Sequence, residues 1–358
     1  MSGHRPRSLP ARLLGLVAFS LVAMLEACNC GGPMPCTTTS DCPSGQVCGD
    51  DDTCRMPLTC DACAEHQLCE EGSDGADADC LAECETGYAT DKGVECYERF
   101  KTSVPAVAAY VSPLSTGITF ALTEKVPTDK IPLLTLGYGR SESRNGAVFP
   151  WNFIALGSYW TGADVAIQHI AKEMGGFDKL KGKKISLVYH DSPYGKEPIL
   201  ALEAFAAKYG YTFKPIPVTH PGVEQKSQWL AIRQDRPDYV LLWGWGVMNG
   251  TAIKEAAAVA YPREKMIGIW WSGAEPDVAP AGEQSKGYKA LMLQHPAGQF
   301  GVHNDLKKHV VDKGKSLAKE DYAQVLYNRG LINSFIGTEA IRTAMKKFGN
   351  KPLTGEQV

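Results

Sequence analysis

Short apolar, β-branched runs alternate with alanine-rich stretches along the chain from Leu81 onward. This alternation is typical of a parallel β-sheet covered by helices. The predicted strands lie at residues 81–85, 106–111, 131–136, 184–190, 211–218, 238–243, 266–271 and 288–294. The clearest predicted helices lie at residues 160–174, 196–209, 224–234, 250–260 and 322–348, each near a Gly or Pro signal. We therefore expect an α/β fold for this part of the chain.

A different pattern opens the chain. A basic start is followed by an apolar run at residues 13–25, which is too short to span a bilayer comfortably. The next residues, Glu26, Ala27 and Cys28, complete a sequence typical of a lipobox. We interpret residues 1–28 as a lipoprotein signal peptide with Cys28 as the lipidated residue. An uncleaved membrane anchor is the alternative, because Glu26 is unusual beside a cleavage site; both place the chain in the cell envelope, facing the periplasm or exterior.

Residues 29–80 are rich in cysteine and poor in large apolar side chains. Ten of the twelve cysteines lie between positions 28 and 80, many of them six residues apart. In an exported segment this density predicts a small disulfide-held module, which we interpret as a spacer between membrane and α/β domain. Four residues of this segment also have a spacing that fits the ligands of a zinc site: Cys60, Cys63, His66 and Cys69. An oxidising compartment favours disulfides, so no metal site is predicted.

Charge and motifs bound the function. The net charge is -3 and no strong basic cluster occurs, which argues against nucleic acid as a partner. Gly244, Gly246 and Gly250 only approximate a dinucleotide fingerprint, because the last spacing is one residue too long. His190, Asp191 and Ser192 are sequence neighbours and cannot converge on one reacting atom as a triad does. We predict no catalytic residues, no cofactor and no enzyme activity.

Four segments in order resemble the type I periplasmic solute-binding proteins, in particular the branched-chain amino acid and amide binders of ABC importers. They are residues 112–117 (SPLSTG), 131–139 (IPLLTLGYG), 190–195 (HDSPYG) and 238–245 (DYVLLWGW). The resemblance runs from about Glu83 to the end. It implies a periplasmic binding protein domain over residues 81–358, with an N-lobe at about 81–150, a C-lobe at about 151–295 and return helices at 296–358. Crossing segments such as residues 148–154 would let the lobes close as a hinge.

The resemblance also implies ligand contacts. From one lobe, the α-carboxylate and ammonium of a ligand would be held by Ser115, Thr116, Gly137 and Gly139. From the other lobe, Tyr194 and Trp245 would close over it. The positions are physically reasonable, since each follows a predicted strand and ligands collect at the carboxyl ends of parallel strands. Simpler interpretations are that Ser115 and Thr116 cap a helix and that the tryptophans are core or interface residues.

The chain departs from the family pattern at the partner of a ligand ammonium group. Amino-acid binders of this family place an acidic residue after the strand that here is predicted at 266–271. This chain has Ser272 there, followed by Glu275 and Asp277. If neither acid reaches the ligand, the sequence favours a carboxylate, amide or aromatic acid over a zwitterionic amino acid.

Compared with the family, the chain departs at both ends. The resemblance implies that the first strand-helix unit and the C-terminal end are absent, and that Cys84 pairs with Cys96. We predict a lipid-anchored solute-binding protein that delivers a small amino acid, amide or carboxylate to an ABC permease. A ligand sensor for a membrane receptor, an envelope hydrolase and a truncated remnant that no longer binds are the alternatives.

Overall fold

The computed structural model describes residues 86–103, 110–298, 300–316, 319–349 and 353–358, together with five short strands nearer the N-terminus. These strands are β1 (Met24–Leu25), β2 (Val47–Cys48), β3 (Cys54–Arg55), β4 (Gln67–Glu70) and β5 (Asp79–Ala82). β5 pairs antiparallel with both β1 and β4, and β2 pairs antiparallel with β3. The strand predicted at residues 81–85 is thus observed only in part, within an antiparallel sheet.

The described residues belong to two compact units. The sheet unit comprises Leu136–Arg144 and Ile154–Phe335, and the helical unit comprises residues 86–135, Asn145–Phe153 and Ile336–Val358. Since the chain enters and leaves each unit more than once, neither unit is one continuous stretch of sequence.

Five parallel strands form the centre of the sheet unit, in the order β12-β11-β10-β8-β9. They are β8 (Lys184–His190), β9 (Thr212–Val218), β10 (Tyr239–Trp243), β11 (Met266–Gly268) and β12 (Lys289–Ala290). All five residues of β10 are buried. Such a continuous apolar run is expected of a strand covered on both faces.

The strand order reverses beside β8. β9 lies on one side of β8, and the chain then crosses to the other side to form β10. In open α/β sheets, such a reversal leaves a crevice at the carboxyl ends of the two strands, where ligands bind. In this unit those ends are His190 of β8 and Trp243 of β10.

Helices cover this sheet and connect its strands. They are α4 (Tyr159–Met174), α5 (Pro193–Lys196), α6 (Ile199–Tyr209), α7 (Lys226–Asp235), α8 (Val247–Ala258), α9 (Glu275–Val278) and α10 (Gly301–Leu306). The core on one face packs Trp229 and Ile232 of α7 and Ile253 of α8 against Val240 and Leu242 of β10. α4 starts at a Ser158 cap, whose hydroxyl accepts from Thr161 N, and ends at Gly175 with φ 92°.

The helical unit contains α1 (Thr90–Ser103), α2 (Thr116–Thr123), α3 (Val126–Asp129) and the paired strands β6 (Leu133–Leu136) and β7 (Asn152–Ala155), whose last residues belong to the sheet unit. Its core includes Tyr97, Phe100, Ile118, Leu122 and Leu133. The last helix, α11 (Val325–Phe348), begins in the sheet unit and ends in this one.

Most predicted elements of the sheet unit are observed with small shifts of boundary. The strand at 184–190 has the predicted ends, whereas β11 stops at Gly268 and leaves Trp270 and Trp271 in a turn. The prediction of a strand over 266–271 is therefore wrong for its last three residues. The sequence does not predict β7, because residues 148–154 fit a crossing segment between the lobes.

Candidate functional site

Tyr194 joins the loops at the strand reversal. It lies in α5, directly after β8, and its hydroxyl donates to Gly244 O at 2.9 Å, in the loop after β10. The side chain is buried, and its ring lies 5.2 Å from that of Tyr159, centroid to centroid. Tyr194 is therefore placed at the carboxyl end of the sheet, as the sequence predicts, and its hydroxyl holds the β10 loop.

Five aromatic residues of the sheet unit form what we call the aromatic cluster: Tyr138, Tyr159, Tyr194, Trp270 and Trp271. Tyr159 stacks on Trp270 with 5.7 Å between centroids and 11° between planes. Trp271 Nε1 donates to the Tyr159 hydroxyl at 2.9 Å, and the Trp271 ring lies 6.1 Å from that of Tyr138. The two tryptophans follow β11, so the cluster extends the carboxyl end of the sheet.

Gly137 contacts this cluster through its backbone. Its carbonyl accepts from Trp270 Nε1 at 2.7 Å and its N–H donates to Ala155 O at 3.2 Å. The residue has φ 69°, and a Cβ built there would lie 2.1 Å from Leu293 Cδ1. The positive φ and the close approach of Leu293 and Trp270 together favour glycine at this position. Gly139, with φ 98°, also has a backbone conformation that favours glycine.

Arg329 is the buried cation beside the cluster. It lies one turn into α11 and is 3 % exposed. Its Nη2 donates to Trp270 O at 2.9 Å, and its Cζ lies 4.2 Å from the centroid of the Trp271 ring. Nε and Nη1 have no hydrogen-bond partner. Burial lowers the pKa of Arg329 to about 10, an effect that Tyr159 and Tyr194 partly oppose.

Ser272 stabilises the ends of β10 and β11. Its hydroxyl accepts from Gly244 N at 3.1 Å and lies 2.7 Å from Gly244 O and 3.1 Å from Leu242 O, to which it donates. The residue is fully buried. These bonds occupy the hydroxyl, so the predicted ligand contact of Ser272 would require a rearrangement of the β10 loop.

The two acids considered as ammonium partners are also engaged. Both oxygens of Glu275 accept from Val325 N, at 3.0 and 3.3 Å, at the start of α11. Asp277 accepts from Asn249 Nδ2 at 3.0 Å, and burial raises the pKa of Asp277. In this conformation Glu275 therefore caps a helix, and its predicted role as a ligand contact stays a prediction.

Trp245 belongs to a second group of rings at the strand reversal. Its ring lies 5.9 Å from the rings of both His190 and His220. His190 Nε2 and His220 Nδ1 are 3.0 Å apart, and His190 Nδ1 is 2.8 Å from Ser192 Oγ. Burial, followed by the charge of His220, lowers the pKa of His190 to about 4, so His190 is neutral at neutral pH.

Glu197 holds the segment that carries Gly137 and Gly139. Its carboxylate accepts from Ser141 N at 2.9 Å. Burial raises the pKa of Glu197 to about 7, despite the opposing hydrogen bond from Ser141. This carboxyl group therefore titrates close to physiological pH.

Ser115 and Thr116 lie in the helical unit. Ser115 Oγ accepts from Ile118 N at 3.3 Å and caps α2, while Ser115 O accepts from Thr119 Oγ1 at 2.8 Å. The capping interpretation of Ser115 is thus observed. The ligand contacts predicted for these two residues stay predictions.

Several predictions concern other parts of the chain. Cys96 is disulfide-bonded, whereas Cys84 and Cys28 lie outside the described residues. The Cys84–Cys96 pairing and the lipidation of Cys28 stay predictions. Within the described residues, no cluster of His, Cys, Asp or Glu is suited to a metal ion. The search for a membrane-spanning helix over the same residues also finds none.

Comparison with known proteins identifies the family. A model of the periplasmic binding protein family matches residues 67–358. The chain belongs to this family. Membership confirms the resemblance carried by the four sequence segments and implies an extracytoplasmic location. Periplasmic binding proteins are solute-binding proteins and not enzymes, which confirms the prediction that this chain is no enzyme. The match begins before the predicted domain start at residue 81.

Solved structures of similar proteins support the α/β fold. One described as an ABC transporter permease from the Pseudomonas fluorescens group is 46% identical, with a TM-score of 0.68, and the match covers 77% of this chain and 67% of that chain. A branched-chain amino acid ABC transporter from Thermus thermophilus with bound valine is 19% identical, with a TM-score of 0.65, and the match covers 78% of this chain and 70% of that chain. An R. palustris solute-binding protein in complex with benzoate is 19% identical, with a TM-score of 0.59, and the match covers 77% of this chain and 70% of that chain. None of the curated proteins compared with the chain matches it.

The sequence pattern does not indicate Arg329, Tyr159 or Glu197 as site residues. The predicted helix at 322–348 does contain a signal for Arg329. This charged residue lies four residues after the buried Val325, on a face of the helix that should be apolar. Tyr159 and Glu197 carry no comparable signal, because nothing local indicates that they meet Trp270 and Ser141.

Proposed function

We propose that this periplasmic binding protein is the lipid-anchored solute-binding component of an ABC importer. It binds a small amino acid, amide or carboxylate outside the cytoplasm and delivers it to a membrane permease. The observation that carries the ligand-binding part is the aromatic cluster at the carboxyl end of the parallel sheet, with Arg329 buried against it.

The chemistry of this cluster suits a small organic ligand. Binding sites for small molecules are mostly apolar, with a few convergent polar groups that fix the orientation of the ligand. Tyrosine and tryptophan offer large apolar faces together with a polar edge. The ligands of the two related structures are benzoate, a small carboxylate, and valine, a small amino acid, which supports a small organic ligand of these classes for this chain.

A ligand screen tests the proposal. The full chain would be titrated with amino acids, their amides, aliphatic carboxylates and benzoates, and thermal unfolding would be followed. A ligand at about 100 times its dissociation constant stabilises the native state by about 2.7 kcal/mol, which gives a rise in Tm of a few degrees. If no compound raises Tm or gives a calorimetric binding signal, the proposal is wrong.

A pair of variants locates the site. The family resemblance implies that Trp245, which is half-buried at the strand reversal, closes over the ligand. We therefore expect Trp245→Ala to weaken binding about tenfold or more through the loss of ring contact. Phe177→Ala is the control, because Phe177 is an exposed aromatic residue of the same unit that precedes β8 and therefore lies toward the amino end of the sheet. Equal affinities of the two variants would place the site elsewhere.

A further inference from the structure

Arg329 has hydrogen-bonding capacity that the described protein does not use. A guanidinium has five N–H donors and no acceptor. The donor on Nε and the two on Nη1 have no partner, although the side chain is 3 % exposed. A buried cation is normally paired with an anion, because removing it from water without compensation is unfavourable.

The surroundings of Arg329 supply no anion within the described residues. None of the ion pairs in these residues involves Arg329. Its contacts are the carbonyl of Trp270 and the face of Trp271, and the electrostatic influences on it come from Tyr159 and Tyr194. The missing partner of the guanidinium is therefore a group with negative charge that can fit among aromatic rings.

A carboxylate meets this requirement best. Its two oxygens match the planar N–H geometry of a guanidinium, and the resulting hydrogen bonds are charge-assisted. The NH₂ of an amide would instead meet donors, and an ammonium would meet a like charge. The two acids considered as ammonium partners are already engaged, since Glu275 accepts from Val325 N of α11 and Asp277 accepts from Asn249 Nδ2 of α8.

We propose that Arg329 binds the carboxylate of an organic acid without a neighbouring ammonium group, whose apolar or aromatic body packs against the aromatic cluster. This inference rests on the proposed function, and it narrows the ligand class from amino acids, amides and carboxylates to simple carboxylic acids. It also assigns a binding role to a residue of α11, in addition to the residues that the sequence segments indicate.

The experiment compares matched compounds by isothermal titration calorimetry on the full chain. Benzoate and benzamide differ only in the acid group, as do 4-methylpentanoate and 4-methylpentanamide, and leucine adds an ammonium group to 4-methylpentanoate. We expect at least one acid to bind about tenfold or more tightly than its amide, and 4-methylpentanoate to bind more tightly than leucine. Arg329→Met should abolish the preference for acids and leave binding of the amides within about threefold.

The control is Arg342→Met. Arg342 lies on the same helix, is exposed and forms an ion pair with Glu339, so its loss should leave the preference for acids unchanged. Circular dichroism melts would establish that the variants fold. If Arg329→Met does not fold, the affinities of wild type for the acids and the amides alone test whether the site prefers a carboxylate.

Two results would overturn the inference while the proposed function stands. They are binding of leucine or the amides at least as tightly as the acids, and an acid preference that survives in a folded Arg329→Met variant. Binding of no compound in the set or in the wider screen would contradict the proposed function, and this inference with it.

Discussion

Two titratable residues of the sheet unit, the buried His190 and the partly buried Glu197, have shifted pKa values whose effects on stability oppose each other as the pH changes. Glu197 has a pKa raised to about 7, and His190 has a pKa lowered to about 4, each mainly by burial. Burial disfavours the charged form of both groups. Between about pH 4.5 and 6.5, folding therefore loses stability through Glu197 and gains it through His190 as the pH rises.

The Glu197→Gln variant tests the first of these effects. A carboxyl group with a raised pKa contributes stability that is present below its ordinary pKa and is lost as the pH rises through about 7. The amide cannot ionise and still offers an oxygen to Ser141 N. We expect the variant to be more stable than wild type by about 1 to 3 kcal/mol at pH 8, and by less at pH 4.5, in urea unfolding. The expectation would be contradicted if the difference in unfolding free energy between variant and wild type were the same at both pH values.

The His190→Gln variant tests the contribution of His190 to the pH dependence of stability. A histidine with a lowered pKa contributes stability that is present above its ordinary pKa and is lost as the pH falls toward about 4. Wild type should lose up to about 2 kcal/mol through this residue between pH 7 and pH 5. The variant should lack that loss, so its unfolding free energy should fall less on acidification. His309→Gln, on a partly exposed histidine of the same unit, should behave as wild type.

At the scale of elements, the turn after β11 decides where the site forms. The sequence Ile269, Trp270 and Trp271 has strong strand propensity, yet Ser272 N donates to Ile269 O at 2.7 Å and closes a turn. Tyr288 reinforces it by donating from its hydroxyl to Ser272 O at 2.7 Å. Local propensity favours a strand here, and the sequence does not reveal the turn because Tyr288, which reinforces it, lies 16 residues further along the chain.

The start of α11 carries a prediction of its own. Glu275 accepts from Val325 N, one turn before Arg329, and an acidic group at a helix N-terminus also interacts favourably with the helix dipole. We expect Glu275→Ala to lower the unfolding free energy by roughly 0.5 to 1 kcal/mol. Glu275→Gln should lose less, since an amide oxygen still accepts a hydrogen bond.

Thermal melts of the two Glu275 variants would measure this difference. Glu283→Ala, on an exposed acid of the same unit, is the control and should melt as wild type. Equal melting temperatures for Glu275→Ala and wild type would contradict a capping role.

For the whole molecule, the sequence predicts the central sheet better than the site. The sequence predicts β8 and β10 well, because β10 is a continuous run of buried apolar residues and β8 is buried from Ile185 onward with mostly apolar side chains. The site depends on long-range contacts such as Trp270 with Gly137 and Arg329 with Trp271. Spacing along the chain does not encode such contacts, so only the glycines and aromatic residues that end strands could be identified in advance.

Attachment to the membrane is the last prediction. The lipobox interpretation makes Cys28 the acceptor of a lipid after cleavage of residues 1–27. In the native host, wild type should then partition into the detergent phase of Triton X-114, and its N-terminal peptide should carry the mass of the lipid. Cys28→Ala should partition into the aqueous phase.

Cys30→Ala controls for the loss of a cysteine, because Cys30 lies two residues beyond the lipobox, and it should stay in the detergent phase. The alternative of an uncleaved anchor gives a different result, since Cys28→Ala would then keep both residues 1–27 and the detergent partition. Stable attachment by acyl chains requires more than one of them. Recovery of wild type in the aqueous phase would therefore mean that the chain is not stably attached to the membrane.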